Sequence, residues 1–524
     1  MTAAALDLVG RDFWAWRGAT QPDSYDDIVR LPRPAGWLPD WSADALADRR
    51  RVRDRLAHRL AALDVTEEPV PVRVDARFLE AALARVSWEL EQLRGWAENP
   101  CFYLDQCLVP VHNALLSAGP ATGETAALLG HVPVVLDQAR ANLAGRVAAP
   151  YARAAGPLLH RAAGAVRHLP AAAPATRALL EFARWLERGA ANHGPRRPLG
   201  ADGFGFLLHR VALLPYPLDD LRMIGERAAH RYRAAEVRHR RRYREHRPPP
   251  PFADVVGQIA AQRAAERSVY RFYRRHDLLP PMADLRRRYR NAAMPAELAP
   301  LAWLAVPHLL PHRPDEDAVR YLEPPARVGS FFAAAECLDP RVGVVHEGVH
   351  AYQAALSATR ARPVRRHVID STPNEGIAYY NEQLLLDRGM FDDAPHSAGF
   401  LKRAMRLRAL RVGVDIGLAL GELTIPAAAN RLADEASLDP DTARAEALFF
   451  AGNPGQALSY EVGKAQLLSL LDIASAADDF RLAAFHDWLV SDGNTPFALR
   501  AWERYGHRQW LNAADRLAGR HRDG

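Results

Sequence analysis

VGVVHEGVHAYQ, residues 342–353, places His346 and His350 four residues apart, with Glu347 directly after the first. On an α-helix, side chains at i and i+4 leave the same face about one turn apart, so both imidazoles can reach one ion. Val342, Val344, Val345 and Val349 flank them. These valines read as a buried helix, or over Val342 to Val345 as a short extended piece. Imidazoles and a carboxylate buried there need partners or a metal. The spacing suits zinc, with Glu347 as general base toward a water whose pKa the ion lowers to about 7.

A third ligand is expected downstream. STPNEGIAYYNEQLLLDRGMF, residues 371–391, offers Glu375 near the start of another helix, and a carboxylate in that place makes the site a gluzincin. The local pattern has a second reading, a capping box with Thr372 at N-cap, Pro373 at N1 and Glu375 at N3. Tyr379 and Glu382 extend the face of Glu375 at helical spacing. Glu382 is placed to orient a ligand histidine, as carboxylates behind metal sites commonly do.

The 524 residues are 49% hydrophobic and 25% charged, the balance of an ordinary globular protein and far from that of a disordered one. The net charge of +6 is modest, and its one concentration is Arg231, Arg233, Arg238, Arg240, Arg241, Arg242, Arg244 and Arg247. Without aromatics spaced as a stacking platform, this segment reads as a solvated helix face rather than a nucleic-acid surface. Three cysteines, Cys101, Cys107 and Cys337, make no disulfide framework or thiolate zinc cluster. The opening MTAAALDLVGRDFWAW has Asp7, Arg11 and Asp12 where a signal peptide needs an uncharged apolar run. No uncharged apolar run reaches the length of about 18 that a membrane span needs. The expected compartment is the cytoplasm.

Helical spacing dominates the chain. Leu79, Leu83, Val86, Leu90 and Leu93 recur at intervals of four and three and predict one apolar stripe. The expected fold is mainly α, a large two-lobed helical gluzincin fold with an active-site cleft and at most a small β-sheet. The proline run Pro248 to Pro251 and the breakers Pro280, Pro281 and Pro295 divide it into an N-terminal helical lobe, 1–250, and a C-terminal catalytic lobe, 251–524.

Four blocks resemble a bacterial family of predicted HExxH metallopeptidases, domain-of-unknown-function family 885. They are RVGSFF at 327–332, HEGVHAYQ at 346–353, NEGIAYYNE at 374–382 and NPGQALSYEVGKAQLLSL at 453–470. The family's fold is similar to carboxypeptidase Taq and neurolysin. Weaker agreement at Trp14 to Trp16 and Trp96 to Pro100 extends the resemblance over nearly the whole chain and implies one catalytic unit. It implies that Gln456, Tyr460 and Lys464 line the active site, with Tyr460 donating a hydrogen bond to the oxyanion. It also draws in Arg411, either clamping a substrate carboxylate or pairing with Asp415 four residues on. The chain departs from the family in three places: it lacks the Pro-Gly before the second motif histidine, and it has Ile377 for Trp and Ala419 for His.

The expected function is a zinc-dependent hydrolase cleaving a peptide or amide bond in a small peptide or amide-containing metabolite, without nucleic-acid or membrane partners. The departures motivate an alternative, a metal-dependent tailoring enzyme acting as amide hydrolase, lyase or cyclase. A minor alternative is a di-iron carboxylate site that pairs Glu347 and His350 with Glu236 and His239.

Overall fold

Leu79, Leu83, Val86 and Leu90 are all buried, as their spacing requires, on a helix Val70–Ser87 that continues as a π-helix, Trp88–Leu93. The π-helix stops at Arg94, which takes a left-handed conformation at φ 51°. A computed structural model of the chain describes residues 2–24, 28, 31–119, 122–279, 289–296, 298–299, 301, 308–309, 318–322, 325 and 331–520. Pro280, Pro281 and Arg327 to Ser330 lie outside the described residues.

The architecture is mainly helical, with one small sheet in which β1 (Tyr289–Ala293) pairs parallel with β3 (Ala318–Leu322), and β3 pairs antiparallel with the two-residue β2 (His308–Leu309). Arg320 of β3 is bound by Glu336 at 2.6 Å, just ahead of the motif helix Arg341–Arg360. Val342 to Val345 form the first turns of that helix, and the extended alternative falls.

The arginine-rich helix Leu218–Arg242 buries Leu221, Gly225, Ala228, Ala229 and Tyr232, and all eight arginines from Arg231 to Arg247 are exposed. The exposed prolines 248–251 then separate it from the helix Val255–Arg275. Packing crosses this point freely. The core around Phe13, Phe78 and Phe182 also takes in Val364, Ile369, Ala498, Leu499 and Leu511. Among the described residues no helix is long and apolar enough to cross a membrane.

Two helices meet with no side chain between them. Gly376 of Ser371–Asp387 and Gly463 of Gln456–Ser475 oppose each other so closely that a Cβ on Gly463 would stand 2.2 Å from the Thr372 carbonyl oxygen. The obstacle is backbone and cannot rotate away. Gly463→Ala is therefore expected to destabilise the protein by about 3 kcal/mol or more, read as a lower denaturant midpoint, whereas Ala substituted at the open helical position Gly164 should raise the midpoint slightly.

Candidate metal centre

His346 and His350 share one face of the motif helix, and Glu375 approaches from the facing helix Ser371–Asp387. The two Nε2 atoms are 3.3 Å apart, Glu375 Oε2 lies 3.3 Å from His346 Nε2, and Glu375 Oε1 lies 3.5 Å from His350 Nε2. Zinc bonds of about 2.0–2.1 Å at tetrahedral angles put ligand atoms about 3.3–3.4 Å apart. The Nε2 pair has that spacing, and each Nε2 has one Glu375 oxygen at a comparable distance, so the three side chains converge closely enough to share one ion. Glu375 Oε2 is buried and makes no well-formed hydrogen bond, facing only the His346 imidazole, so a cation between them would satisfy both groups. Among the described residues, this is the one cluster of three His, Cys, Asp or Glu side chains with ligand-like spacing.

The capping-box reading of Thr372 is corrected. Asp370 is the N-cap and accepts from the Thr372 amide at 2.8 Å, so the helix begins two residues earlier and Glu375 is left to face the histidines. Asn381 donates to the Val345 carbonyl at 2.7 Å and accepts from the Tyr273 hydroxyl at 2.8 Å, which ties the two helices that carry the cluster together. The connection between them is clamped by buried Arg365, which grips Asp75 at 2.5 Å and Glu503 at 2.6 Å, residues of two distant parts of the chain.

Behind His346 stands Glu382, with Oε1 2.7 Å from His346 Nδ1. Arg408 of the helix Pro395–Leu420 binds Glu382 with both terminal nitrogens, at 2.6 and 2.9 Å. Burial opposes ionisation of Glu382, and Arg408 with His346 overcomes it, holding the carboxyl below its ordinary value. Burial would also depress His346. The Glu382 and Glu375 carboxylates outweigh it and lift the imidazole to about 10. Glu375 is held well below the carboxylate range, against burial, by His350 and His346. Glu382 is thus where the expectation placed it, in ion-pair contact with His346 Nδ1. Arg408 went unread, although Arg408, Arg411 and Asp415 interrupt an apolar helix at intervals of three and four.

Tyr460 reaches the cluster, its ring nearly parallel to that of His346 at 6.4 Å, with the guanidinium groups of Arg408 and Arg411 5.4 and 5.3 Å from its centre. The other expected residues go elsewhere. Arg411 does not pair with Asp415; it binds Glu446, while Asp415 accepts from the backbone amides of Gly455 and Leu458 at 3.0 and 2.9 Å. Tyr379 is fully buried, its hydroxyl donating to the Met405 carbonyl at 3.2 Å. Lys464 does not line an open site: its ammonium lies 3.8 Å from the Tyr379 ring centre and donates to Tyr232 and, at 3.1 Å, to Glu461. Gln456 accepts from Ser371 at 2.9 Å, one turn before Tyr460 and Glu375 respectively. Glu236 pairs with Arg406 at 2.7 Å and His239 contacts the Pro395 carbonyl at 2.6 Å, so the pair invoked for a di-iron site is spent on neighbouring helices.

Asp415 caps the helix that carries Tyr460, whose N-cap Gly455, at φ 90°, supplies no side chain. Burial pushes its carboxyl up to about 7, against the downward pull of the Gly455 and Leu458 amides. A carboxyl raised above its unfolded value of 3.8 contributes stability that is complete below that value and is lost as pH rises through about 7. The stability of the protein relative to Asp415→Asn is therefore expected to fall between pH 4 and pH 7 by about 1.4 kcal/mol per unit, measured by urea unfolding across that range.

The backbone resembles two solved structures. One, described as a "putative lipoprotein" of unknown function from Shewanella oneidensis, superposes with a TM-score of 0.70 at 14% identity, over 95% of this chain and 98% of that one. The other, a protein of the same description from Colwellia psychrerythraea, gives 0.69 at 14% identity over 99% of both chains. At such identity the likeness is one of fold. No curated protein matches the chain in sequence. Residues 27–500 match the model of a family described as bacterial protein of unknown function (DUF885), and the chain belongs to that family.

Proposed function

We propose that this protein is a zinc-dependent hydrolase of peptide or amide bonds in small substrates, with His346, His350 and Glu375 as the ligands. The observation that carries the reading is the convergence of the three side chains, with the two Nε2 atoms 3.3 Å apart and each facing a different Glu375 oxygen at 3.3 and 3.5 Å. A bound zinc would polarise the scissile carbonyl and lower the pKa of water in the site. Glu347, next to His346 on the motif helix, takes the proton of the attacking water and returns it to the leaving amine. Tyr460 donates a hydrogen bond to the carbonyl oxygen as it gains charge. Glu382, held by Arg408, keeps the proton on His346 Nδ1 so that Nε2 presents its lone pair.

The two departures that motivated a tailoring enzyme lie in packed cores. Ile377 is buried with Val349 and Leu356, and Ala419 with Trp88 and Val462. Neither side chain belongs to the ligand cluster, so both changes read as packing. The cytoplasm remains part of the proposal, supported by three free cysteines; the description of the two structural neighbours as lipoproteins points to an envelope location. Cell fractionation separates the two.

The test of the reading is elemental analysis of the purified chain together with a panel of dipeptides and N-acyl amino acids, assayed before and after chelation. One zinc per chain and hydrolysis abolished by chelator and restored by zinc are expected. A chain that takes up no zinc on reconstitution would overturn the proposal.

A further inference from the structure

A cavity of about 110 Å³ lies at the N-terminal ends of the two helices that carry Glu375 and Tyr460. Ser371 and Gln456 line it. Each stands four residues, about one turn or 5–6 Å, before Glu375 and Tyr460, so the cavity adjoins the metal cluster along both helices.

Its far wall comes from the N-terminal half and is aromatic. Trp41 and Phe102 line it in an edge-to-face pair at 4.6 Å, together with Trp88 and Trp96. The wall between them is the π-helix Trp88–Leu93, a backbone irregularity that is frequent at functional sites. Polar groups already in balance account for most of the remaining lining. Glu89 is bound by Arg17 at 2.6 Å and Arg85 at 3.0 Å, and Asp370 is committed to its cap.

What is left over is donors. Arg49 is buried, donates one nitrogen to the Asp40 carbonyl and lies 3.8 Å over the Trp41 ring, yet its Nη1 is buried without a hydrogen-bond partner. Trp16 Nε1 is a second such donor. Two unanswered N–H groups in an aromatic-walled cavity call for a ligand that brings acceptor oxygens on an apolar body. The volume decides how much of a ligand fits, because an apolar cavity of about 150 Å³ takes a benzene. At about 110 Å³ this one is smaller still, so it takes in part of one aromatic side chain, the remainder lying at its mouth, and has no room for a dipeptide.

We propose that the cavity is the specificity subsite of the metal centre, taking a single aromatic residue of the substrate whose carboxylate or carbonyl oxygen meets Arg49 and Trp16. The assignment rests on the hydrolase reading for the word substrate, but the binding itself needs no metal. The selectivity would then be for peptides or N-acyl amino acids with an aromatic residue beside the scissile bond.

The test is calorimetric titration of the full chain, zinc-loaded and zinc-stripped, with N-acetyl-L-phenylalanine. Saturable binding to both forms is expected, at least tenfold tighter than for N-acetyl-L-alanine, which lacks the ring, and for N-acetylphenethylamine, which lacks the carboxylate. Leu93→Trp, which fills the cavity from its wall, should abolish binding, and Arg49→Lys should weaken it at least tenfold, both with zinc stoichiometry unchanged. Should either variant fail to fold, as judged by its thermal unfolding, the three-ligand comparison on the wild type decides alone. Equal affinity for the three probes, or binding indifferent to both folded variants, overturns the subsite. A chain that binds the probe selectively but takes up no zinc would instead overturn the hydrolase reading and leave the cavity as a binding site.

Discussion

Glu347→Gln is expected to retain one zinc per chain and to lose hydrolysis by about 10²- to 10⁴-fold, the range that a positioned general base contributes. The variant keeps the volume and a hydrogen-bonding carbonyl but cannot accept the proton of the attacking water. Because Glu347 is not one of the three clustered donors, the ion should stay. The discriminating measurement is kcat/KM alongside zinc content on the same preparation. Retention of both activity and zinc would remove Glu347 from the mechanism, and loss of both would show that it serves the metal rather than the water.

Glu375→Ala should weaken zinc binding by more than about 100-fold, since partners one layer behind a metal ligand are worth about 10- to 100-fold and a direct ligand more. Competition with a chromophoric chelator gives the number. The same titration carries a pH signature. His346, raised to about 10 by Glu382 and Glu375, is protonated at neutral pH without the ion and must lose that proton to become a ligand. Zinc affinity should therefore rise with pH, by about tenfold per unit below the His346 pKa, with about one proton released per ion bound at pH 7. Glu382→Gln removes one of the charges that hold the proton and also the group that orients the ring. The variant should release fewer protons while binding zinc 10- to 100-fold more weakly. A Glu375→Ala variant that binds zinc as the wild type does would show that the carboxylate merely pairs with the histidines.

The cluster of His346, His350 and Glu375 was legible because each half is local. His346 and His350 need only the helical repeat, and Glu375 stands in a polar stretch whose next turns bring Glu382. The helical class and the smallness of the sheet followed from spacing such as that of Leu79, Leu83, Val86 and Leu90. The capping box at Thr372 misled for an equally local reason: Asp370, two residues before the pattern, is the stronger hydrogen-bond acceptor and took the cap. The pairing of Arg411 with Asp415, one of the two readings of that arginine, does not form: each found a partner elsewhere, Glu446 and the Gly455 amide. An i,i+4 ion pair gains only about 0.3–0.5 kcal/mol, too little to hold a buried arginine against a well-placed glutamate.

What the sequence alone determined was therefore the placement that repeats within one helix: two imidazoles on one face, a glutamate beside them and a carboxylate one helix later. What only the tertiary structure decided was which groups meet across helices. Arg408 reaches Glu382, Tyr460 comes over His346, Lys464 is spent on Tyr232, and the aromatic cavity joins residues 16–105 to residues 370–456. The physical reason is separation along the chain. A contact within one helix is set by a fixed rise and turn, whereas a contact across hundreds of residues depends on how every intervening element packs, down to the bare backbone crossing of Gly376 and Gly463.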